Sequence, residues 1–162
     1  MPMTTNFKTA DLCDEFSQSL QIIEPGFISY GGHPCFYGEV STIKCFEDNS
    51  IVRQQLSTPG LGRVLMVDAG ASTQCAMLGD LLAGFGVENN WAGIVMYGMI
   101  RDSVNLSSMP IGVMALGTHP KKSEKKNMGE IDIAIDFPGA TIKPGDWVYA
   151  DQDGIITSHK KL

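Results

Sequence analysis

Asp80 is followed, after twenty intervening residues, by the adjacent pair Arg101–Asp102, a D-x20-R-D spacing. Each residue type suits one part of a site that takes an anion and a cation together. Arg101 offers a planar guanidinium fork that matches a carboxylate, with two parallel hydrogen bonds where the geometry allows. Asp102 is a hard oxygen ligand, suited to a magnesium ion that keeps most of its waters. Gly79, just before Asp80, permits a sharp turn or a close backbone approach. If a helix starts near Asp80, the N–H groups of Leu81 and Leu82 precede the helical ladder and can hold a carboxylate or enolate oxygen. Together these residues describe a site for a 2-keto acid in which an enolate develops. Plainer roles compete. Asp80 can be a helix N-cap, worth about 1 kcal/mol. Arg101–Asp102 can be an exposed strand end, with Asp102 capping a helix through Ser103–Leu106.

In open α/β sheets, ligands bind beyond the carboxyl ends of the strands. Two apolar runs end in polar and glycine residues here. RVLMV, Arg63 to Val67, leads into Asp68-Ala69-Gly70-Ala71, and GIVMY, Gly93 to Tyr97, leads into Gly98 to Asp102. Cys75 to Gly86, between them, carries a helical apolar spacing. Phe36 to Cys45 reads as a strand, followed by Glu47-Asp48-Asn49-Ser50, which caps a short helix over Ile51 to Leu56. Thr9 to Phe16 reads as a capped helix start with acids in its first turn. Continuous apolar strands separated by helices indicate buried parallel β-α-β units. After Leu106 the pattern changes. Ile111 to Leu116, Ile131 to Phe137, Trp147 to Tyr149 and Ile155 to Thr157 are short and strand-like, joined by Pro138-Gly139, Pro144-Gly145-Asp146 and Asp151 to Gly154. The expectation is one α/β domain, parallel-rich first and antiparallel-rich later.

Composition narrows the function classes. The 162 residues suit one domain, and 43% hydrophobic with 19% charged suits a globular one. No apolar stretch approaches the roughly 20 residues that span a bilayer. The N-terminus lacks a basic region followed by an apolar core, so a cytoplasmic protein is expected. The net charge of -6 speaks against direct nucleic-acid binding. The basic cluster Lys121, Lys122, Lys125 and Lys126 reads as a solvated loop. Cys13, Cys35, Cys45 and Cys75 form no C-x-x-C pair, and His33, His119 and His159 no H-x-x-x-H pair. Reduced, mostly buried thiols and no histidine-based metal site follow. No P-loop glycine pattern or G-x-S-x-G elbow is present.

Beyond spacing, the chain resembles the family of the regulator of ribonuclease E activity A. The resemblance rests on Asp11-Leu12-Cys13-Asp14, on Gly38 with Ile43 to Asn49, and on Gly62 to Asp68. Ala92 to Gly98, Pro144-Gly145-Asp146 and Ala150 to Gly154 extend it over nearly the whole chain. Relatives in that family include class II 4-hydroxy-4-methyl-2-oxoglutarate aldolases, which also decarboxylate oxaloacetate. The resemblance implies a single RraA-like domain over 1–162, with a three-layer β/β/α, swivelling-domain-like fold. It also implies a homotrimer with sites at subunit interfaces. Aldolase-type members carry D-x20-R-D, whereas the ribonuclease regulator lacks the full pattern, so Asp80, Arg101 and Asp102 favour the enzyme. By that match Gly79, Asp80, Leu81, Leu82 and Arg101 bind the 2-keto acid, and Asp102 holds a divalent cation, magnesium or manganese. Asp80 is the candidate for moving a proton to the enolate through water. Longer aldolases carry a C-terminal extension that reaches a neighbouring subunit's site, and this chain, ending at Leu162, is expected to lack it. The alternative expectation is a non-catalytic regulator that binds ribonuclease E.

Overall fold

The computed structural model describes residues 6–162. In chain order its elements are α1 (Thr9–Phe16), β1 (Leu20–Ile22), β2 (Ile28–Ser29), β3 (Phe36–Lys44), α2 (Ser50–Leu56), β4 (Val64–Asp68), β5 (Ala76–Leu78) and α3 (Asp80–Glu88). β6 (Gly93–Ile100), α4 (Ser103–Leu106), β7 (Gly112–Thr118), β8 (Glu130–Ile131), β9 (Ile135–Phe137), β10 (Ala140–Ile142), β11 (Trp147–Asp151) and β12 (Gly154–Ser158) follow. The large sheet runs β1-β12-β11-β3-β4-β6-β7-β2, with β5 added beside β6 and β8 beside β3. β3, β4, β6 and β7 are mutually parallel neighbours, in the register Val40–Val64–Gly93–Gly112. β11 pairs antiparallel with both β3 and β12, and β9 with β10. The division into a parallel-rich first part and an antiparallel-rich later part is as the sequence indicates.

Alternation along the central strands builds the layers. Leu65 and Val67 of β4, Ile94 and Met96 of β6, and Val113 and Ala115 of β7 join a core with Ile51, Val52 and Leu56 of α2, Leu82 and Ala83 of α3, and Leu106 of α4. Their neighbours Val64, Met66, Val95 and Met114 point the other way. There they meet Ile135 and Phe137 of β9 and Ala140 and Ile142 of β10. Side chains on a strand alternate between faces, so one sheet covered by helices on one side and by a hairpin on the other needs strands apolar on both faces. Such strands read as unbroken apolar runs. The result is a β/β/α stack. None of the helices among the described residues is long and apolar enough to cross a membrane.

Three local expectations change. Cys75 to Gly86 is not one helix, because Ala76–Leu78 is a strand and the helix begins at Asp80. Ala76, Met77 and Leu78 are all buried, and a fully buried run carries no period that separates strand from helix. Ile131 to Phe137 is divided between β8 and β9, with Asp132 in the left-handed region at φ 61°. The start of α1 is capped from a distance: the Thr9 N–H and hydroxyl donate to the Asp151 carboxylate at 2.8 and 2.6 Å. Burial works to raise the Asp151 pKa, but the hydrogen bonds from Thr9, Asp153 and Gly154 prevail and hold it below its ordinary value. The thiols are free, with Cys45 and Cys75 buried and Cys13 and Cys35 partly so.

Candidate active site

The parallel pairing Leu78↔Ile100 places the carboxyl ends of β5 and β6 side by side, and Ile100↔Thr118 adds the end of β7. The Arg101 N–H still donates to the Leu78 carbonyl at 2.9 Å, and the His119 N–H to the Ile100 carbonyl at 2.9 Å. Beyond that row the chain leaves the sheet. Asp102 takes the left-handed conformation, φ 59° and ψ 38°, which Asp adopts more readily than most residues. This turn frees the pair from strand alternation.

Both side chains converge on Gly79. A Cβ at that position would stand 2.7 Å from Asp102 Oδ2, 3.4 Å from Arg101 Cγ and 3.5 Å from Arg101 Nε. Glycine is required there for space, since its φ of -137° is open to any residue. Asp102 Oδ2 uses that space to accept the Asp80 N–H at 2.9 Å. The Asp102 side chain therefore caps α3, and it makes no cap bond to its own helix α4. The carboxylate of Asp80 turns toward α4 in exchange, with Oδ2 accepting from Asn105 Nδ2 at 2.9 Å. That bond is the main influence holding the Asp80 carboxyl below its ordinary pKa. Desolvation opposes it, and Asp102, the Leu81 N–H and the charge of Arg101 add smaller lowering influences.

α3 makes its first helical bond from the Ala83 N–H to the Gly79 carbonyl at 3.1 Å. The amides of Asp80, Leu81 and Leu82 precede the ladder, as expected of a helix start. The Asp80 amide is taken by Asp102 and the Leu81 amide faces the Asp80 carboxyl, so the amide cradle is partly filled. Leu82 is buried in the core, while the Leu81 side chain is 58% exposed. Arg101 makes no ion pair with Asp80 or Asp102 among the described residues. Among the described residues its Nη1 reaches only the Pro120 carbonyl, at 3.5 Å, which leaves the fork room for an added anion.

Asp102 commits only Oδ2 to the clasp, which leaves its second carboxylate oxygen for a divalent cation. Among the described residues no group of three or more His, Cys, Asp or Glu gathers in metal-binding geometry. A carboxylate oxygen of this kind suits a hard ion that takes its other oxygens from water and substrate.

The sequence pattern pointed to Asp80, Arg101 and Asp102, and they stand together. Asn105 and Pro120 were missed. Asn105 gave no signal on a helix of one turn, whereas His119–Pro120 follows β7 and the strand-end rule, applied to a third strand, would have found it. A groove of about 220 Å³ lies elsewhere, lined by Ile22, Glu24, Phe27, Met114, Asp151 and Ile155 among others. It contains none of the three site residues, and its best-buried carboxylate, Asp151, is consumed by α1.

The family model described as RraA-like, Aldolase/RraA, matches residues 9–157. Over 157 residues the chain is 60% identical to a protein of Laribacter hongkongensis named "Putative 4-hydroxy-4-methyl-2-oxoglutarate aldolase", covering 97% of this chain and 99% of that one. A protein of the same name from Alkalilimnicola ehrlichii is 53% identical over 95% of this chain and 96% of its own. Among solved structures, the RNA-processing inhibitor RraA from Thermus thermophilis superposes with a TM-score of 0.94 at 39% identity, covering 98% of this chain and 96% of that one. A Geobacillus kaustophilus structure described as an S-adenosylmethionine: 2-dimethylmenaquinone methyltransferase also reaches a TM-score of 0.94, at 47% identity, covering 96% and 97%. With its sheet order, its clasped strand ends and these matches over almost its full length, the chain belongs to the RraA-like, Aldolase/RraA family.

Proposed function

We propose that the protein is a divalent-metal-dependent carbon–carbon lyase that cleaves 4-hydroxy-4-methyl-2-oxoglutarate to pyruvate and decarboxylates oxaloacetate through a shared pyruvate enolate. The observation that carries the reading is the clasp over Gly79, which holds Asp80, Arg101 and Asp102 at one point. The names of the relatives support the substrate.

In this reading the Arg101 fork binds the C1 carboxylate of the keto acid and fixes its orientation. The C3–C4 bond breaks, and its electron pair passes into the C2 carbonyl to give the enolate of pyruvate. From the hydroxy acid, the C4 hydroxyl loses its proton and becomes the keto group of a second pyruvate. From oxaloacetate, carbon dioxide leaves instead. Asp102 would hold a divalent cation, magnesium or manganese, which would supply Lewis-acid stabilisation of the developing enolate charge. Asp80, an anion at neutral pH by its lowered pKa, orients a water. That water relays the hydroxyl proton to C3, and in the oxaloacetate reaction delivers a proton of its own. At the start of α3 the Leu82 amide, which the Asp102 clasp leaves free, is the one that can face the same charge.

We place the site in a cytoplasmic homotrimer. Leu81 and Val104, 58% and 83% exposed on the first turns of α3 and α4, suit cover by a neighbouring copy. The experiment is pyruvate release from both substrates with magnesium or manganese and then with chelator. Release that stops with chelator and returns with metal is expected. The second reading, a non-catalytic regulator of ribonuclease E, rests on the 39% identical RNA-processing inhibitor. It requires neither Arg101 nor Asp102, and would take over if no pyruvate is released while ribonuclease E is inhibited.

A further inference from the structure

We propose that Lys121 and Lys122 form a second anionic subsite, which receives the distal carboxylate of a dicarboxylic 2-keto acid whose first carboxylate lies on Arg101. This rests on the lyase reading and names what that reading leaves open. Both substrates carry two carboxylates, and Arg101 accounts for one. A second buried or clamped carboxylate needs a cation or hydrogen-bond donors of its own.

The chain supplies lysines beside the site. After β7, the His119 N–H is bound to Ile100, and the Pro120 carbonyl accepts from Arg101 Nη1. The segment then crosses to the free edge of β5, where the Lys121 carbonyl accepts the Ala76 N–H at 2.7 Å and Lys122 pairs with Ala76 as a parallel bridge. It thus straps the end of β6, over the guanidinium, and lays two exposed lysines beside the strand that leads into Gly79 and Asp80. The strap is anchored. The Lys121 N–H donates to His119 Nδ1 at 3.1 Å, and buried Ser123 Oγ accepts the Asn49 N–H at 3.3 Å. Farther along, the Lys126 and Met128 amides donate to Asp48 Oδ2 at the start of α2, and the Lys126 ammonium lies 3.9 Å from Glu124. Lys125 and Lys126 therefore belong to a part of the loop that has left the site. On a chain of net charge -6, two exposed lysines that directly follow the Pro120 carbonyl on Arg101 also draw a dianion in from solution.

The test compares two reactions of the full-length protein, with the wild type and a Lys121→Gln/Lys122→Gln variant, in magnesium. Cleavage of 4-hydroxy-4-methyl-2-oxoglutarate uses a dianion whose distal carboxylate is kept in the second pyruvate. Exchange of the pyruvate methyl protons with heavy water uses a monoanion that lacks the distal carboxylate and needs only Arg101, Asp102 and the enolate. The variant is expected to lose about tenfold or more in kcat/KM on 4-hydroxy-4-methyl-2-oxoglutarate, the scale of a charge-assisted hydrogen bond. Pyruvate exchange should stay within about twofold of wild type, the level at which uniform binding of the shared half is untouched. Lys125→Gln/Lys126→Gln should leave both reactions unchanged. Equal loss in both reactions would overturn the subsite, since the strap would then only position Arg101. No loss in either would overturn it too. A wild type that performs neither reaction overturns the lyase reading itself, and the subsite with it.

Discussion

Asp102 Oδ2 accepts the backbone N–H of Asp80 at 2.9 Å, joining residues 22 apart in sequence at the start of α3. One side chain thus closes a helix end and presents a charge, and two substitutions separate those duties. Asp102→Asn keeps an acceptor for the Asp80 amide and removes the charge. It should leave thermal stability near wild type while pyruvate release falls to background. Asp102→Ala should in addition lose about 1 kcal/mol of stability, the scale of a helix cap. Equal stability of the two variants by thermal melting would show that the clasp contributes nothing to the fold.

Gly79→Ala isolates the spatial requirement. The backbone there tolerates alanine, but the added Cβ would stand 2.7 Å from Asp102 Oδ2. Asp102 must then move by several tenths of an ångström. Misplacement on the ångström scale costs on the order of a hundredfold in turnover. A loss of at least tenfold in kcat/KM on oxaloacetate, with the cooperative melt retained, is the expected outcome. Full activity would mean that Asp102 does not work from this position.

Asp48 ties the far end of the lysine loop to α2. It is buried and accepts from the Ser50 N–H at 2.9 Å, the Ser50 hydroxyl at 2.5 Å, the Lys126 N–H at 2.9 Å and the Met128 N–H at 3.0 Å. Burial pushes its pKa up, but these bonds bring it down to about 2. A folded-state pKa below the unfolded value of about 3.9 adds stability that is complete above roughly pH 5 and lost as pH falls toward 2. The contribution is on the order of 2 kcal/mol. Asp48→Asn should flatten that part of the acid-unfolding curve, and an unchanged curve between pH 5 and 2 would contradict the assignment.

The D-x20-R-D spacing was legible because strand ends in parallel sheets gather residues distant in sequence. Gly93–Ile100 announced its own end by passing from an uncharged run to Arg101–Asp102. What Asp102 holds was not legible. Its sequence neighbour Ser103 suggested a cap on α4, whereas the left-handed turn at Asp102 sends the carboxylate across to α3. The cap of α1 is hidden in the same way, because Asp151 lies 142 residues from Thr9. β5 was lost in an apolar run too short for period to decide. The layers, by contrast, follow from strands apolar on both faces, which only a sheet covered on both sides satisfies.

In the proposed reaction Arg101 would hold the substrate carboxylate and Asp102 the cation. Arg101→Lys keeps the charge and loses the planar fork. The direct measurement is kcat/KM for pyruvate release by Arg101→Lys, paired with titration of manganese into the same variant without substrate. A loss of roughly ten- to hundredfold is expected, matching about 1.5–3 kcal/mol for a hydrogen bond to a charged group. Manganese affinity should be unchanged. Intact turnover, or loss of manganese binding together with turnover, would contradict this assignment and leave Arg101 as the end of a strand.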